Sequence, residues 1–391
     1  MTESTSPRLH VVDGLRGFAI FSILLLHNIE HFDFYYYPAN LPAWMPAIDK
    51  GVWDTLFFLF GGKSYAIFAL LFGLTFFIQS DNQDKKGNDF RARFAWRLVL
   101  LLCFGFINSA FYEGDILSIY ALIGFSLIPV AKLSNKAVLF ITFILILQPV
   151  EWLNFIIGIQ HPGVKIANPA SWVYFGKAGE YIPGESILNT WIGNLTNGKM
   201  AVMLWTWEAG RVFQTAALFM LGMLAGRKKL FVSSNSNIRF WKRTLLYSTM
   251  AFIPLFVVKE GLPTWISYEA IKRPLITIIT SWSNLAFMGV LVSVFVVGFE
   301  RHSGGYLKLF SPIGKMSLSN YIIQSILGSI VYYGFGLGLY KYTGASYCLF
   351  IGIGLAIFQW FFSNWWLKNH KHGPLEGIWH KLTWIHLKIK S

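Results

Sequence analysis

Apolar residues run along nearly the whole chain in blocks of about 20, the length needed to cross the hydrocarbon core of a bilayer as a helix. Short polar or charged stretches separate these blocks. The pattern predicts spans over 10–30, 53–79, 94–112, 115–132, 136–158, 208–226, 241–261, 271–298, 316–339 and 344–367. The second and eighth spans are long enough to be tilted or broken. The expected fold class is therefore all-α: a polytopic integral membrane protein of about ten transmembrane helices. It forms a single transmembrane domain over 1–391. The 159–207 stretch, with Pro162, Pro169, Pro183 and several Trp residues, is too long for a bare connection. It is expected to form an extracytoplasmic loop or cap over a cavity.

Charge assigns the sides. Basic loops (81–97, 132–136, 227–243, Arg301 to Lys315, and the tail) alternate with acidic or mixed ones (Glu30 to Asp49, Glu113 to Asp115, and 159–207). With ten spans every basic loop falls on one side, so the positive-inside rule puts both termini in the cytoplasm. This also accounts for the net charge of +14. Lys and Arg are spread over loops, not gathered in one basic domain, so no nucleic-acid partner is expected. The lipid bilayer is the expected partner, in a bacterial inner membrane. Charged residues make up only 13% of the chain, about half the share of a soluble domain. Cys103 and Cys348 both sit in apolar runs and imply neither disulfide nor thiol-metal site. Asp13 and Arg16 interrupt the first apolar stretch and no small-residue cleavage site follows, so it is expected to remain as the first helix rather than act as a cleaved signal.

Ionisable groups inside spans are costly unless paired or hydrated, and so mark candidate sites. The first helix holds Asp13, Arg16, His27, Glu30 and His31. Arg16 and His27 are eleven residues apart, which puts them on one face and about 16 Å apart along the axis, near opposite ends. A purely structural alternative pairs Asp13 with Arg16 at i,i+3 and leaves His27 at the interface. Against it, Asn108, Glu113 and Asp115 are predicted at the same outer end. Lys63, within Phe-Gly-Gly-Lys-Ser-Tyr, is expected to need a carboxylate from Asp115, Glu113 or Asp54. Asn320, Tyr321 and Gln324 occupy the cytoplasmic half of the ninth span, with interhelical hydrogen bonding as the plain alternative. Glu208 and Arg211 read as an interfacial pair. His27-Asn-Ile-Glu30-His31 matches the H-x-x-E-H zinc pattern, and outer carboxylates could add a third ligand, but a five-residue match is weak and the soluble helix pair of such sites is absent, so no metal is expected.

Longer strings carry a family likeness: Asp13-Gly-Leu-Arg16-Gly17-Phe-Ala, Lys63 followed by Leu71-Phe72-Gly73, and Arg97 leading to Gly105-Phe-Ile-Asn108. Glu113-Gly114-Asp115-Ile-Leu-Ser-Ile-Tyr120-Ala, Gly314-Lys315 through Gln324-Ser325, and Gly373-Pro374-Leu-Glu376 add to it. On these the chain resembles, nearly end to end, the YeiB-like membrane proteins, also called domain of unknown function 418. That family is similar to the transmembrane acyltransferase superfamily, which includes the type-3 acyltransferases and the heparan N-acetyltransferase and whose first helix carries an Arg-x10-His pattern that Arg16 and His27 fit. The resemblance implies transfer of an acyl group, usually acetyl, from cytosolic acyl-CoA to a sugar or glycan on the far side. Acyl-CoA would be a cosubstrate, with no tightly bound cofactor.

In that reaction Arg16, with Asp13, Asn320, Tyr321 and Gln324, would serve the donor. His27 would act as general base or acyl carrier. Glu30 or Asp115 would orient it, and Lys63 or Asn108 would stabilise the oxyanion. A transporter with a polar path, or a scaffold whose polar groups only specify packing, are the rival classes; homo-oligomerisation is left open by the pattern.

Overall fold

The computed structural model describes residues 9–301 and 305–385. The last residues of the basic tail, 386–391, lie outside the described residues. Every described element is helical. The N-terminal half runs α1 His10–Ile29, α2 Met45–Phe60, α3 Ser64–Asp84, α4 Arg91–Phe111, α5 Leu117–Gly124, α6 Leu127–Val130, α7 Asn135–Ile146 and α8 Pro149–Gln160. Short helices α9 Ala170–Gly176, α10 Ala178–Tyr181, α11 Ile187–Gly193 and α12 Lys199–Glu208 follow. The remainder is α13 Arg211–Arg227, α14 Asn235–Trp265, α15 Glu269–Arg301, α16 Ser311–Lys315, α17 Ser317–Tyr332, α18 Ala345–Asn369 and α19 Pro374–Thr383.

Among the described residues seven helical stretches are long and apolar enough to cross a membrane, or eight if the bent pair Ile187–Glu208 and Arg211–Arg227 is one span. The protein is thus an all-α, multi-pass membrane protein. The expected ten spans differ from this count because two of them, 115–132 and 316–339, fall on short helices. The first is interrupted between α5 and α6, and α17 ends at Tyr332.

Other predicted spans are broken where the backbone demands it. The second breaks at Gly61–Lys63, where Gly62 takes a left-handed φ of 75°. The fifth breaks at Gln148, with φ 60°, before Pro149, whose missing N–H and fixed φ suit the first turn of α8. The buried Gln148 amide nitrogen donates to Gly210 O (3.0 Å) and Ser281 Oγ (2.9 Å), which ties the break to the start of α13 and to α15. The 159–207 stretch is largely helical, not a loose loop.

α1 lies at the centre, packed on α3, α16, α17 and α18, while α14 lies at the edge against α15. Small residues let the central backbones touch. A Cβ on Gly17 would land on the Phe310 carbonyl, and one on Gly314 would land on Asp13 O. α3 and α13 cross in the same way, Gly73 facing the Phe219 carbonyl and Gly222 the Leu70 carbonyl. Such contacts replace the hydrophobic driving force that apolar helices lack in lipid. The basic connections meet at one end: Arg227 donates to Ala131 O and Leu133 O, and Arg93 to Thr383 O. Replacing Gly222 by Val is expected to force α3 and α13 apart and cost about 1–3 kcal/mol. Thermal unfolding in detergent checks this; an unchanged melting temperature would refute the close crossing.

Candidate functional site

Two cavities flank the middle of the bundle, and α1 supplies a key side chain to each. At the end away from the basic loops, a cavity of about 460 Å³ is lined by His27, Glu30, Asp33, Asp115, Arg211 and an aromatic wall that includes Tyr65, Trp172 and Trp205. His27 sits in the last turn of α1. His31, Phe32 and Asp33 then take three successive left-handed conformations (φ 48°, 55° and 66°), each strained for a residue with a Cβ. This tight reversal folds Asp33 back, so that ligand atoms of His27, Glu30 and Asp33 lie within 4.8 Å of one another. His27 Nδ1 is 2.9 Å from Tyr112 OH and 3.5 Å from Glu30 Oε2, and Tyr35 OH donates to Glu30 Oε1 at 2.8 Å. With Nδ1 so engaged, Nε2 is the nitrogen left for a ligand.

Asp115 is fully buried and caps α5. It accepts from Leu117 N (3.2 Å), Ser118 N (3.0 Å), Ser118 Oγ (2.7 Å) and Asn108 Nδ2 (3.0 Å). Its cation is Lys199, 3.2 Å away on α12. Beside it, Glu113 is buried, accepts from Tyr181 OH at 2.9 Å and has no hydrogen-bond partner for Oε1. Burial, reinforced by the charge of Asp33, pushes Glu113 up to about 8. Burial and the neighbouring Glu30 also raise Asp33, against the pull of His27, Tyr112 and Arg211.

At the basic end, a cavity of about 310 Å³ is lined by Arg16, Arg97, Lys315, His372, His380 and Trp379, with Phe68, Phe72 and Phe94 among its apolar walls. Arg16 reaches Thr75 Oγ1 (3.1 Å) and Asp13 Oδ1 (3.4 Å). Arg97 is buried, 4.0 Å from the Trp379 ring centre, and donates to Thr383 Oγ1. Burial and the charges of His372 and Arg97 lower His380. The acid in this wall, Glu376, is engaged at the start of α17, accepting from Leu318 N (2.7 Å), Ser319 N (3.1 Å) and Ser319 Oγ (2.5 Å). α19 therefore closes the cavity from the basic end.

One layer of side chains divides the two cavities. Tyr120, in the Arg16 cavity, donates at 2.5 Å to the carbonyl of Tyr65, which lines the His27 cavity. Ile116 faces one cavity and Leu117 the other, and Ile116 N donates to Tyr321 OH at 3.3 Å.

Residues 225–386 match the family described as "Protein of unknown function (DUF418)". Full-length relatives extend the likeness over the first helix and both cavities. "Uncharacterized protein YxaH" of Bacillus subtilis (strain 168) is 26% identical over 97% of this chain and 95% of its own. "Uncharacterized protein YeiB" of Escherichia coli (strain K12) is 25% identical over 95% of each chain. An "Uncharacterized 39.9 kDa protein in amylase 3'region" of Bacillus acidopullulyticus is 24% identical over 96% of this chain and 94% of that protein. On these matches the chain is similar to the DUF418/YeiB-like proteins. These bacterial relatives agree with a multi-pass protein of the bacterial inner membrane.

In the structure the residues expected from the sequence separate into three groups. His27, Glu30, Asp115 and Tyr321 line one cavity and Arg16 the other, with Asn108 and Asp13 beside Asp115 and Arg16. Tyr321 was expected on the donor side but opens into the His27 cavity. Lys63 has no carboxylate partner among the described residues. It donates to Phe57 O at 3.3 Å and lies over the rings of Phe287 and Phe58, so Asp115 takes Lys199 instead. Asn320 is spent on Ile313 O and Ser363 Oγ, and Gln324 is buried; neither lines the described cavities.

His31 turns away from His27 to Thr343 (2.9 Å to O, 3.1 Å to Oγ1), which dissolves the H-x-x-E-H pairing. Glu208 binds the start of α9 through Ala170 N and Ser171 and makes no ion pair with Arg211. The sequence reading missed Asp33, Tyr112, Lys199, Arg97 and α19. Only the polarity of Asp33 and the basic position of Arg97 hinted at them.

Because Glu113 binds its proton more tightly in the folded protein, folding takes up a proton between about pH 4.5 and 8. Stability is then expected to fall as pH rises through that window. Melting temperature in detergent should drop from pH 5 to 8, and Glu113→Gln should flatten that slope; an identical slope in both proteins would contradict the assignment.

Proposed function

We propose that the protein is a membrane acyltransferase that moves an acyl group, acetyl by resemblance, from a cytosolic acyl-CoA to a small sugar-like acceptor on the other side of the membrane. In this reading 115–132 and 316–339 complete ten spans, and the basic loops and both termini face the cytoplasm. The observation that carries it is that one central helix, α1, presents Arg16 to a cationic cavity and His27 to a separate cavity at the opposite end.

The donor's phosphates suit Arg16, Arg97 and Lys315, and its flexible arm suits the apolar walls above them. Thermal movement of the Tyr65–Tyr120 layer joins the two cavities. His27 Nε2 then takes the proton from the acceptor's hydroxyl or amine, while Glu30 at Nδ1 steadies the imidazolium. The acceptor atom forms its bond to the thioester carbonyl carbon, the C–S bond breaks, and the thiolate leaves with the electron pair; the imidazolium of His27 gives up its proton, by way of water, to that thiolate, which restores the base.

A second reading, a proton-coupled transporter, is favoured by the buried Asp33 and Glu113 carboxyls. Calorimetry with acetyl-CoA separates the two. Wild type is expected to bind, Arg16→Ala to lose about tenfold or more in affinity (about 1.4 kcal/mol), and His27→Ala to keep donor binding but lose acceptor labelling. No binding by well-folded wild type, or substrate uptake into proteoliposomes without any thioester, would overturn acyl transfer.

A further inference from the structure

The charges in the His27 cavity are segregated and incompletely paired. On one side stand Glu30 and Asp33, two carboxylates beside a single imidazole. A protonated His27 would offset one of them, not both. Asp115, also in the wall, is already matched by Lys199. The same lining includes Arg211, whose guanidinium is held against two rings, 4.0 Å from the Trp205 centre and 4.3 Å from the Tyr65 centre. Its expected partner Glu208 is consumed by Ala170 and Ser171. Among the described residues no ion pair joins Arg211 to a carboxylate, although its charge reaches Asp33. Contact with two aromatic rings restrains the guanidinium, and a guanidinium so held can meet a planar or tetrahedral anion through its N–H groups.

The space between these poles, about 460 Å³, is the size of a small organic ligand's site, and its remaining walls are largely aromatic. A single metal ion would leave most of that volume and Arg211 unused.

We propose that the His27 cavity takes a small zwitterion, with an amine held at Glu30 and Asp33 and a carboxylate or phosphate held on Arg211. Leaving either pole unmatched would bury an unpaired charge, so a ligand with one charge forfeits binding. The class deepens the acceptor assignment and rests on this cavity being the acceptor site, but it concerns binding alone.

The test is calorimetry on the full-length protein in detergent, with glucosamine 6-phosphate and phosphoethanolamine as zwitterions, glucosamine as the amine without the anion, and glucose 6-phosphate as the anion without the amine. At least one zwitterion should bind tenfold or more tightly than either single-charge sugar. In Arg211→Gln that advantage over glucosamine should vanish. In Asp33→Asn the advantage over glucose 6-phosphate should vanish, both variants being checked for wild-type melting behaviour. Equal affinity for a zwitterion and a single-charge sugar would overturn the proposal, as would no binding of any probe. Near-stoichiometric divalent metal in purified wild type, lost in Asp33→Asn, would also overturn it and make the cluster a metal site. Acetyl-CoA titrated into the same samples separates the outcomes: zwitterion binding without donor binding sinks acyl transfer alone, and donor binding without zwitterion binding sinks this inference alone.

Discussion

The contact on which the rest of the structure depends is the backbone-to-backbone approach of α1 and α16 at Gly17 and Gly314. In lipid, apolar helices gain little from burying apolar faces against each other, so close packing must hold them. Because no Cβ intervenes there, α1 is drawn into the middle of the bundle and enclosed by α3, α16, α17 and α18. A helix carrying Asp13, Arg16, His27 and Glu30 cannot face hydrocarbon without a large cost. Enclosure turns Arg16, His27 and Glu30 into linings of two cavities, with Asp13 beside Arg16.

The two cavities have opposite chemistry. The one at the basic end collects Arg16, Arg97 and Lys315 over apolar walls, an arrangement that suits an anion with a less polar arm. The other combines an imidazole, two carboxylates and a stacked guanidinium under an aromatic wall. Between them lies only the layer of Tyr65, Tyr120 and Tyr321. The strain accepted at His31, Phe32 and Asp33 belongs to the same economy of position. Three left-handed residues in a row are unfavourable, and they are retained where the reversal brings Asp33 to His27. α12 plays the matching part, since it brings Lys199 within 3.2 Å of the fully buried Asp115.

The sequence by itself determined the class of the molecule and the material of its central helix. Twenty-residue apolar blocks, basic loops in alternation and the eleven-residue interval from Arg16 to His27 follow from bilayer thickness, charge and the helical repeat. All are local quantities that a linear pattern can carry. It marked 159–207 as a stretch too long for a bare connection, but not that most of it is helical.

What only the tertiary structure decided was partnership. Lys63 was the cation expected for Asp115; the fold seats it among aromatic rings and brings Lys199, which the pattern did not single out, to the carboxylate. His31 is four residues from His27, as a zinc pair requires, yet a left-handed turn sends it to Thr343. Glu208 and Arg211 are neighbours in sequence and serve different elements in space. Likewise Arg97, Trp379 and His380 meet only because α19 folds back across α4. Each of these outcomes turns on which distant backbone supplies a nearer or better-shaped partner, and that depends on packing between helices far apart in the chain.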